Sequence, residues 1–473
     1  MTVRSLVPWA LAALLVAALM LGRVAPAHAA RGMEVAISDE DAMVNGKGDT
    51  ALAYQTAQAL NATRMRILVE WSRVSDADDP TPSLDPDYDW GPIDRAVDTA
   101  AAHGMRTQLA LAGPAPAYAS GNGRVSIPVW SPDPARYADF ARAAATHFQG
   151  RVDRYSIWNE PNYPAWIAPQ SESPKIYRAL YTAGYDAIKS VDPAAQVLIG
   201  ETVPYGGTAN GKRLGLATAP LKWLRAVACV DARYKRVGNC TPLKADGYAH
   251  HPYEFTEAPT AKTYPGADNA PIQTLGRLRT ALNKLARAHA LSTPKGKALA
   301  IYLTESGYFV TGSRKVAAAK RARWLPESFQ VAAQQARVKE MLQYNVYVPS
   351  TSTFTTGLFT LGGSPLPEYK TLLSWTKGAA KKRLIKRNTG PIQLPARPGG
   401  TSLPTPSGTG TGGGGSTSGG GSAPSGGGGS TPPGGGGSTS GGTSAPPAGS
   451  TTQPSPAPPT CGGIQIGPVC LPV

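Results

Sequence analysis

Segments with the character of β-strands and of α-helices alternate eight times between residues 32 and 376. This alternation predicts an α/β fold, a (β/α)8 or TIM barrel, in which eight parallel strands are each followed by a helix. Doubly wound open sheets share the same alternation, so the side chains at the strand ends have to decide between the two folds.

The predicted strands are short apolar runs bounded by glycine, proline or polar residues. The third run, for example, ends at Gly113 and Pro114, which do not continue a strand. The predicted strands are residues 33–37, 65–69, 105–112, 154–158, 196–200, 245–249 and 299–304, with a weaker eighth strand somewhere within 346–359.

The predicted helices carry apolar residues at helical spacing and have recognisable ends. Pro134 stands where the first turn of a helix accepts proline, and Gly104 stands where a helix ends in a left-handed residue. The predicted helices are residues 50–62, 93–103, 134–148, 174–190, 220–230, 272–290, 326–343 and 368–375.

The first 29 residues have the features of a secretory signal peptide. Arg4 precedes an apolar stretch over 6–21, and Ala27-His28-Ala29 has the small-x-small pattern of a cleavage site. A retained membrane anchor is the alternative interpretation of this segment. No later segment approaches the 18 apolar residues of a membrane span, so we expect a secreted protein.

Beyond residue 376 the composition changes twice. Residues 377–397 form a basic segment leading into a linker, and 398–460 are a Gly/Ser/Thr/Pro stretch without charged or aromatic residues, which predicts a disordered linker. Residues 461–473 form a short tail bounded by cysteines. The basic residues either cover a solvated helix end or hold an anionic cell-wall polymer, which would place the protein at the cell surface.

The chain has four cysteines and a formal net charge of +16. Proximity favours the disulfides Cys229–Cys240 and Cys461–Cys470 in an exported chain. A metal site is not expected, because neither pair has C-x-x-C spacing and no histidine lies near either. No nucleic-acid-binding motif accompanies the positive charge, so nucleic acid is not an expected partner.

Two glutamates follow predicted strands and carry the chemistry. Glu160 lies in Trp-Asn-Glu-Pro-Asn after strand four, and Glu305 lies in Thr-Glu-Ser-Gly after strand seven. Two strand ends of a barrel would bring these carboxyl groups to one rim. An acid/base and a nucleophile about 5 Å apart are what a retaining glycosidase needs.

The two motifs together resemble the signatures of clan A glycoside hydrolases, the retaining (β/α)8 enzymes that include families 5 and 39. The resemblance implies that Glu160 acts as general acid and then base, and that Glu305 is the nucleophile. It implies that Arg66 keeps Glu305 ionised and that Asn159 donates to the sugar 2-hydroxyl. Arg66 could instead pair with Glu70. No metal or organic cofactor is implied.

His251-Pro-Tyr253, just after strand six, matches a His-x-Tyr pattern of family 5-like enzymes. By this resemblance Tyr253 bonds to the nucleophile and His251 lines the sugar subsite. The adjacent His250 is an equal candidate for facing inward on sequence alone.

Aromatic side chains are expected on the rim, since sugar rings pack on them. Trp166 is the best candidate platform, followed by Trp71; packing under loops is the alternative for both. Further candidates are Trp130, Trp324 and Tyr118. Many clan members carry a tryptophan at the end of strand eight, whereas this chain offers only Phe354 in that region.

The sequence therefore predicts a secreted, monomeric retaining glycosidase whose partner is a β-linked carbohydrate such as a β-glucan or xylan. Exo and endo action are not separated. A barrel that binds wall glycan without turnover is the alternative, although a pure binder needs neither glutamate. Transglycosylation would use the same residues and differ in the acceptor.

Overall fold

A computed structural model defines the part of the chain that can be described. It covers residues 31–75, 88–121, 129–209, 212–261, 265–349 and 354–397, together with two short paired strands, Ile464–Ile466 and Val469–Leu471. The predicted signal peptide 1–29, the predicted linker 398–460 and the predicted Cys461–Cys470 pairing lie outside the described residues.

Eight parallel strands close into a barrel, which confirms the predicted fold class. Each strand pairs with its neighbours in chain order, and the last pairs with the first in the register Glu34 to Glu340. The strands are β1 (Glu34–Ser38), β2 (Ala62–Glu70), β3 (Arg106–Ala112), β4 (Arg154–Ile157), β5 (Gln196–Thr202), β6 (Gly247–His250), β7 (Ile301–Leu303) and β8 (Val338–Tyr344).

One long helix follows each strand and packs apolar side chains against the barrel. None of the helices in the described part of the chain is both long and apolar enough to cross a membrane. The helices are α1 (Thr50–Ala59), α2 (Gly91–Ala102), α3 (Pro134–His147), α4 (Ser173–Val191), α5 (Pro220–Val227), α6 (Leu275–Arg287), α7 (Ala318–Ala333) and α8 (Pro367–Lys381).

The predicted seventh helix at 326–343 and the predicted eighth strand within 346–359 are wrong. Helix α7 begins earlier, carries Pro326 inside it and ends at Ala333, and the chain then forms β8. Val338, Met341 and Leu342 are apolar at i, i+3 and i+4, which is helical spacing, so periodicity alone could not distinguish this strand from a helix.

The folded unit extends past residue 376, contrary to the predicted boundary. Helix α8 continues to Lys381, and residue Ile385 then forms a parallel bridge with Met33, next to β1. Farther on, the Asn388 side chain donates to the backbone carbonyls that flank β2 and β3, and Arg397 pairs with Asp98 of α2 at 2.7 Å. Residues 377–397 are therefore packed on the barrel.

A buried ionic network fills the end of the barrel where the strands begin. Arg154 pairs with Glu34 at 2.8 Å and with Glu340 at 2.5 Å, and Arg64 pairs with Glu34 at 3.3 Å. We call these four residues the basal network. All four are buried, so this end of the barrel is closed by its own side chains.

The predicted disulfide between Cys229 and Cys240 is present. It closes a short loop after α5, where Val230 and Arg236 also form an antiparallel bridge. Such a crosslink stabilises mainly by restricting the unfolded chain.

Candidate active site

The predicted glutamates lie on one rim of the barrel, at the ends of parallel strands. Glu160 follows β4 and Glu305 follows β7. The backbone leaves β4 through left-handed conformations, with φ of 65° at Trp158 and 39° at Glu160. Such values are unfavourable for side chains of this kind and are kept where the surrounding structure holds them.

The two carboxyl groups face each other across a histidine. One carboxylate oxygen of Glu160, one of Glu305 and a ring nitrogen of His251 all lie within 4.8 Å of one another. Glu160 is 8% exposed and Glu305 is 6% exposed, so both are nearly enclosed but reachable from the rim. The close approach of two carboxyl groups is the central feature of the site.

Glu305 is held by donors on both of its oxygens. Arg66 donates to Oε1 at 3.1 Å and Tyr253 donates its hydroxyl to Oε2 at 3.1 Å. Burial raises the pKa of Glu305, and the carboxylates of Glu160 and Glu201 add to this effect, while His251 and Arg66 oppose it. The structure thus places Arg66 and Tyr253 where the sequence predicted, and Arg66 does not pair with Glu70.

Glu160 also has a contact on each oxygen. The indole N–H of Trp166 donates to Oε2 at 3.1 Å, and Nδ1 of His251 lies 3.0 Å from Oε1. Trp166 is itself held by Trp158, whose indole N–H donates to the Trp166 carbonyl at 2.9 Å. Trp166 therefore reaches the site as predicted, with its N–H edge directed at the carboxylate.

Asn159 lies beside the pair with its orientation fixed. Its side-chain oxygen accepts from Arg66 at 2.9 Å. This bond leaves the side-chain NH2 group without a hydrogen bond to any other described residue. An amide donor held in this way is available to a substrate hydroxyl.

The two adjacent histidines have different environments. His250 is buried against Thr202 and the Ala270 carbonyl, at 2.9 and 2.7 Å, and burial lowers its pKa to about 4. His251 points into the site. Burial alone would lower the pKa of His251, but Glu305, Glu160 and Glu201 outweigh it and raise that pKa to about 10.

A third buried glutamate, Glu201, was not among the predicted site residues. It is the penultimate residue of β5 and is fully buried, and its Oε2 lies 2.7 Å from Nε2 of His251 and 3.3 Å from Arg66. Burial by itself would raise the pKa of Glu201, but the Arg66 charge and the His251 hydrogen bond lower it to about 2. We call Arg66, Glu160, Glu201, His251 and Glu305 the cleft cluster.

The prediction that Trp71 stacks on sugar is wrong. Its side chain is fully buried and lies parallel to Phe140, with ring centroids 5.3 Å apart. Trp71 begins a short helical turn directly after β2, and that turn directs the indole under the loops. Trp324 is likewise buried, against Tyr308, whereas Trp130 is 39% exposed.

Phe354 contributes to the wall of the site next to β8. Its ring centroid lies 5.6 Å from that of Tyr253 and 6.1 Å from that of Tyr344, the last residue of β8. Tyr253 in turn contacts Glu305. An aromatic side chain therefore lies close to the nucleophile on this side, although the chain has no tryptophan there.

Glu160, His251 and Glu305 together offer three atoms of the kind that bind metals. Both ring nitrogens of His251 already lie within hydrogen-bonding distance of carboxylates, however. A metal ligand must be a neutral imidazole with a free lone pair, and the raised pKa of His251 opposes that form. The geometry fits proton chemistry better than metal binding.

Comparison with solved structures supports the fold. A glucosidase from Croceicoccus marinus matches with a TM-score of 0.52 at 15% identity, over 75% of this chain and 69% of that one. A family 39 glycoside hydrolase from Bacteroides cellulosilyticus gives a TM-score of 0.49 at 17% identity, over 73% of this chain. A β-xylosidase from Caulobacter crescentus gives 0.47 at 18% identity, over 73% of this chain and 69% of that one.

This chain spans 64% of the length of the family 39 enzyme. No protein-family profile and no curated protein matches the sequence. The likeness to the Croceicoccus glucosidase, at 15% identity, supports the fold alone, and the chemistry has to be argued from the cleft cluster itself. What the comparisons show is that the chain is similar in fold to glycoside hydrolases built on (β/α)8 barrels.

Proposed function

We propose that the protein is a secreted retaining glycoside hydrolase that cleaves β-O-glycosidic bonds by double displacement. One observation carries the proposal: an oxygen of Glu160 and an oxygen of Glu305 lie within 4.8 Å of each other at the rim of the barrel. Retaining enzymes place their two carboxyl groups about 5 Å apart, whereas inverting enzymes need about 6.5–9.5 Å to admit a water molecule.

In the first step a Glu305 oxygen attacks the anomeric carbon, and the bond from that carbon to the leaving oxygen breaks. Glu160 gives its proton to the leaving oxygen. In the second step Glu160 takes a proton from water, the water oxygen attacks the anomeric carbon, and the ester to Glu305 breaks. Atoms and charge balance without a metal or cofactor.

The neighbouring residues have defined roles in this scheme. Arg66 and Tyr253 orient Glu305 by the hydrogen bonds described above. The free NH2 group of Asn159 is placed to donate to the sugar 2-hydroxyl, a bond that strengthens as positive charge develops on the ring. Trp166 supports Glu160 and borders the entrance.

The proposed substrate is a β-linked glucosyl, xylosyl or mannosyl carbohydrate. Solved structures of similar fold include a glucosidase, a β-xylosidase and an exo-β-1,4-mannosidase. Export follows from the predicted signal segment. Exposed basic side chains at Lys377, Lys381 and Lys382 would suit attachment to an anionic wall polymer, and the protein is proposed to act as a monomer.

Mechanism-based β-glycosidase probes of the gluco, xylo and manno series test the proposal. Incubation of the full chain with each probe, followed by peptide mapping in a mass spectrometer, should find a covalent adduct on Glu305. The probe that labels fastest identifies the preferred sugar. Glu305→Gln should remain unlabelled, whereas Glu340→Gln, altered at the opposite end of the barrel, should be labelled like the unmodified protein.

An adduct on a residue other than Glu305 would reject the proposed nucleophile. Absence of label from every probe, with the fold intact by circular dichroism, would favour a barrel that binds glycan without turnover. Hydrolysis and transglycosylation are separated by analysing the products with and without an added sugar acceptor.

A further inference from the structure

Glu201 takes no part in the two-carboxylate scheme, yet one of its carboxylate oxygens contacts three residues of the site. Its Oε2 accepts from the Thr304 hydroxyl at 2.6 Å and lies 2.7 Å from Nε2 of His251 and 3.3 Å from Nη2 of Arg66. Thr304 immediately precedes Glu305. A charged group buried this deeply is rare unless something requires it.

The backbone of Glu201 is engaged as well. Its carbonyl accepts from the Glu160 N–H at 2.9 Å, and its φ of 52° lies in the left-handed region. The residue therefore reaches Glu160 by two routes, through the backbone and through His251, whose other nitrogen lies 3.0 Å from the Glu160 carboxylate. It reaches Glu305 through Arg66.

The sum of the formal charges in the cleft cluster suggests what this arrangement does in the reaction. Before reaction, Arg66 and His251 are positive, Glu201 and Glu305 are negative, and Glu160 holds a proton, so the cluster is neutral. In the glycosyl-enzyme Glu305 is an ester and Glu160 is ionised, and the cluster is neutral again. One negative charge moves from Glu305 to Glu160, and everything else stays fixed.

His251 is placed to accompany that charge. Its Nδ1 lies 3.6 Å from Glu305 and 3.0 Å from Glu160. It can interact with whichever carboxylate is ionised, provided that it keeps both of its protons. Glu201 is the partner that occupies its other nitrogen throughout.

We propose that Glu201 is a positioning residue, a permanent buried anion that holds His251 as an imidazolium and so lets one negative charge pass between the two reacting carboxyl groups. This inference rests on the proposed function. It adds a third carboxylate whose charge, and not only whose shape, the reaction requires.

The surroundings of His251 support a charged ring. The raised pKa of His251, about 10, agrees with this placement, as does the lowered pKa of Glu201, about 2. Titratable or charged groups surround these two side chains on several elements of the barrel. They are Arg66 on β2, Glu160 after β4, Tyr177 on α4, His250 and Tyr253 at and after the end of β6, Glu305 after β7 and Glu340 on β8.

A purely structural role is the competing explanation, and Glu340 provides the matched control. It too is a fully buried glutamate on a barrel strand paired with a buried arginine. It belongs to the basal network, where it pairs with Arg154, and its carboxyl group interacts with Glu201 only through the electrostatic field. Glu201→Gln and Glu340→Gln each replace a buried carboxylate by an amide of the same shape.

The first experiment compares the pH dependence of kcat/KM of these variants on an aryl β-glycoside. Loss of the Glu201 charge leaves the cleft cluster with one excess positive charge. That excess favours ionised carboxylates and an unprotonated His251. The acidic and the basic limb of the pH profile of kcat/KM should therefore both move to lower pH by about one unit. We expect kcat of Glu201→Gln to fall about 100-fold.

Glu201→Asp keeps the charge but shortens the side chain. It should lose activity while its pH limbs stay within a few tenths of a unit of the unmodified protein. Glu340→Gln should keep both the limbs and kcat. A drop in kcat of Glu201→Gln with unmoved limbs, or an equal shift in Glu340→Gln, would overturn the proposal.

A second measurement needs no activity and therefore separates this inference from the proposed function. The ring 15N resonances of His251, assigned by their loss in His251→Asn, report its protonation in the full chain. In the unmodified protein both nitrogens should remain protonated above pH 8, and in Glu201→Gln the ring should titrate at least one unit lower. A neutral His251 at pH 7 in the unmodified protein would reject the inference even if hydrolysis is found. Inactivity of the unmodified protein with His251 charged would reject only the proposed function.

Discussion

The two ends of the barrel contain the same kinds of buried charged side chain, arginine and glutamate, in different arrangements. The basal network and the cleft cluster both join buried arginine to buried glutamate across the inside of the barrel, between strands that are not neighbours. At the base the charges are closed off, and no histidine belongs to the network. At the rim a histidine lies among three glutamates, two of which are slightly exposed. Burying charge therefore does not by itself make a reactive site.

What distinguishes the rim is that its carboxylates can exchange roles. Arg154 contacts two glutamates that are held by fixed ion pairs, and Lys386 covers one of them, Glu34, at 2.9 Å. Glu160 and Glu305 lie close together at the rim, where each carboxyl group is slightly exposed. The comparison predicts that equivalent substitutions at the two ends will have unequal effects on activity and similar effects on stability.

The largest difference is expected for glutamine in place of glutamate. Glu305→Gln should lower kcat/KM on the order of 10⁴-fold or more, because the attacking carboxylate is lost. Glu340→Gln should keep kcat/KM within about two-fold. Steady-state hydrolysis of an aryl glycoside measures both. Residual activity of Glu305→Gln above one percent would mean that another group attacks the sugar.

Replacing Arg66 or Arg154 by methionine tests whether the two ends of the barrel contribute equally to the free energy of unfolding. Arg66→Met and Arg154→Met each leave buried carboxylates unpaired, and each should lower the free energy of unfolding by about 3–5 kcal/mol. Urea denaturation followed by tryptophan fluorescence gives that quantity. At a temperature where both are folded, only Arg66→Met should lose hydrolytic activity; equal losses would show that the two ends are coupled.

Two tryptophans sharpen the contrast between the rim and the interior. Trp166→Phe removes the N–H donor to Glu160, and a lost hydrogen bond to a charged group corresponds to about a 10-fold decrease in kcat. Trp71→Phe should leave kcat and KM unchanged and lower the stability by about 1–3 kcal/mol, since its indole is packed on Phe140. A raised KM in Trp71→Phe would restore this residue as a sugar contact.

The smallest effect concerns pH and the basal network. Burial raises the pKa of Glu340 from 4.5 to about 7, with Arg154 opposing and Glu34 adding to the rise. Between these two pH values the folded protein binds a proton that the unfolded chain has released, so the free energy of unfolding should fall as the pH rises from 4.5 to 7.

The measurement is the free energy of unfolding of the unmodified protein minus that of Glu340→Gln, from urea denaturation across this pH range. The difference should decline by on the order of 3 kcal/mol and then level off above pH 7. A flat difference would show that Glu340 stays ionised in the folded state.

The parts of the site that the sequence predicted are those that depend on local context. Glu160 and Glu305 each lie in a short motif after an apolar run, and parallel strands in a barrel must bring such ends together. Glu201 also follows an apolar run, at the penultimate position of β5, and this was the one available signal. Its contact with His251 depends on how β5 and β6 are staggered, however, and Gly200 and Glu201 interrupt that register.

Side-chain direction was the harder problem. Trp71 and Trp166 both follow a strand, but a helical turn directs the Trp71 side chain inward. Trp166 instead lies in a loop that is held by a hydrogen bond from the Trp158 indole N–H to the Trp166 carbonyl. Strand β8 was missed because its apolar spacing also suits a helix. Only its pairing with β1 and β7, which is a long-range property, selects the strand.

The segment after α8 determines where the chain leaves the barrel. It passes beside Met33, the first residue of β2 and the residues that precede β3, and Arg397 pairs with Asp94 and Asp98 of α2. The contacts with Met33, Ala62 and His103 lie at the end of the barrel where the strands begin. Truncation at residue 376 would remove residues 377–397 and their contacts with the barrel, so shortened versions of the protein should end no earlier than residue 397.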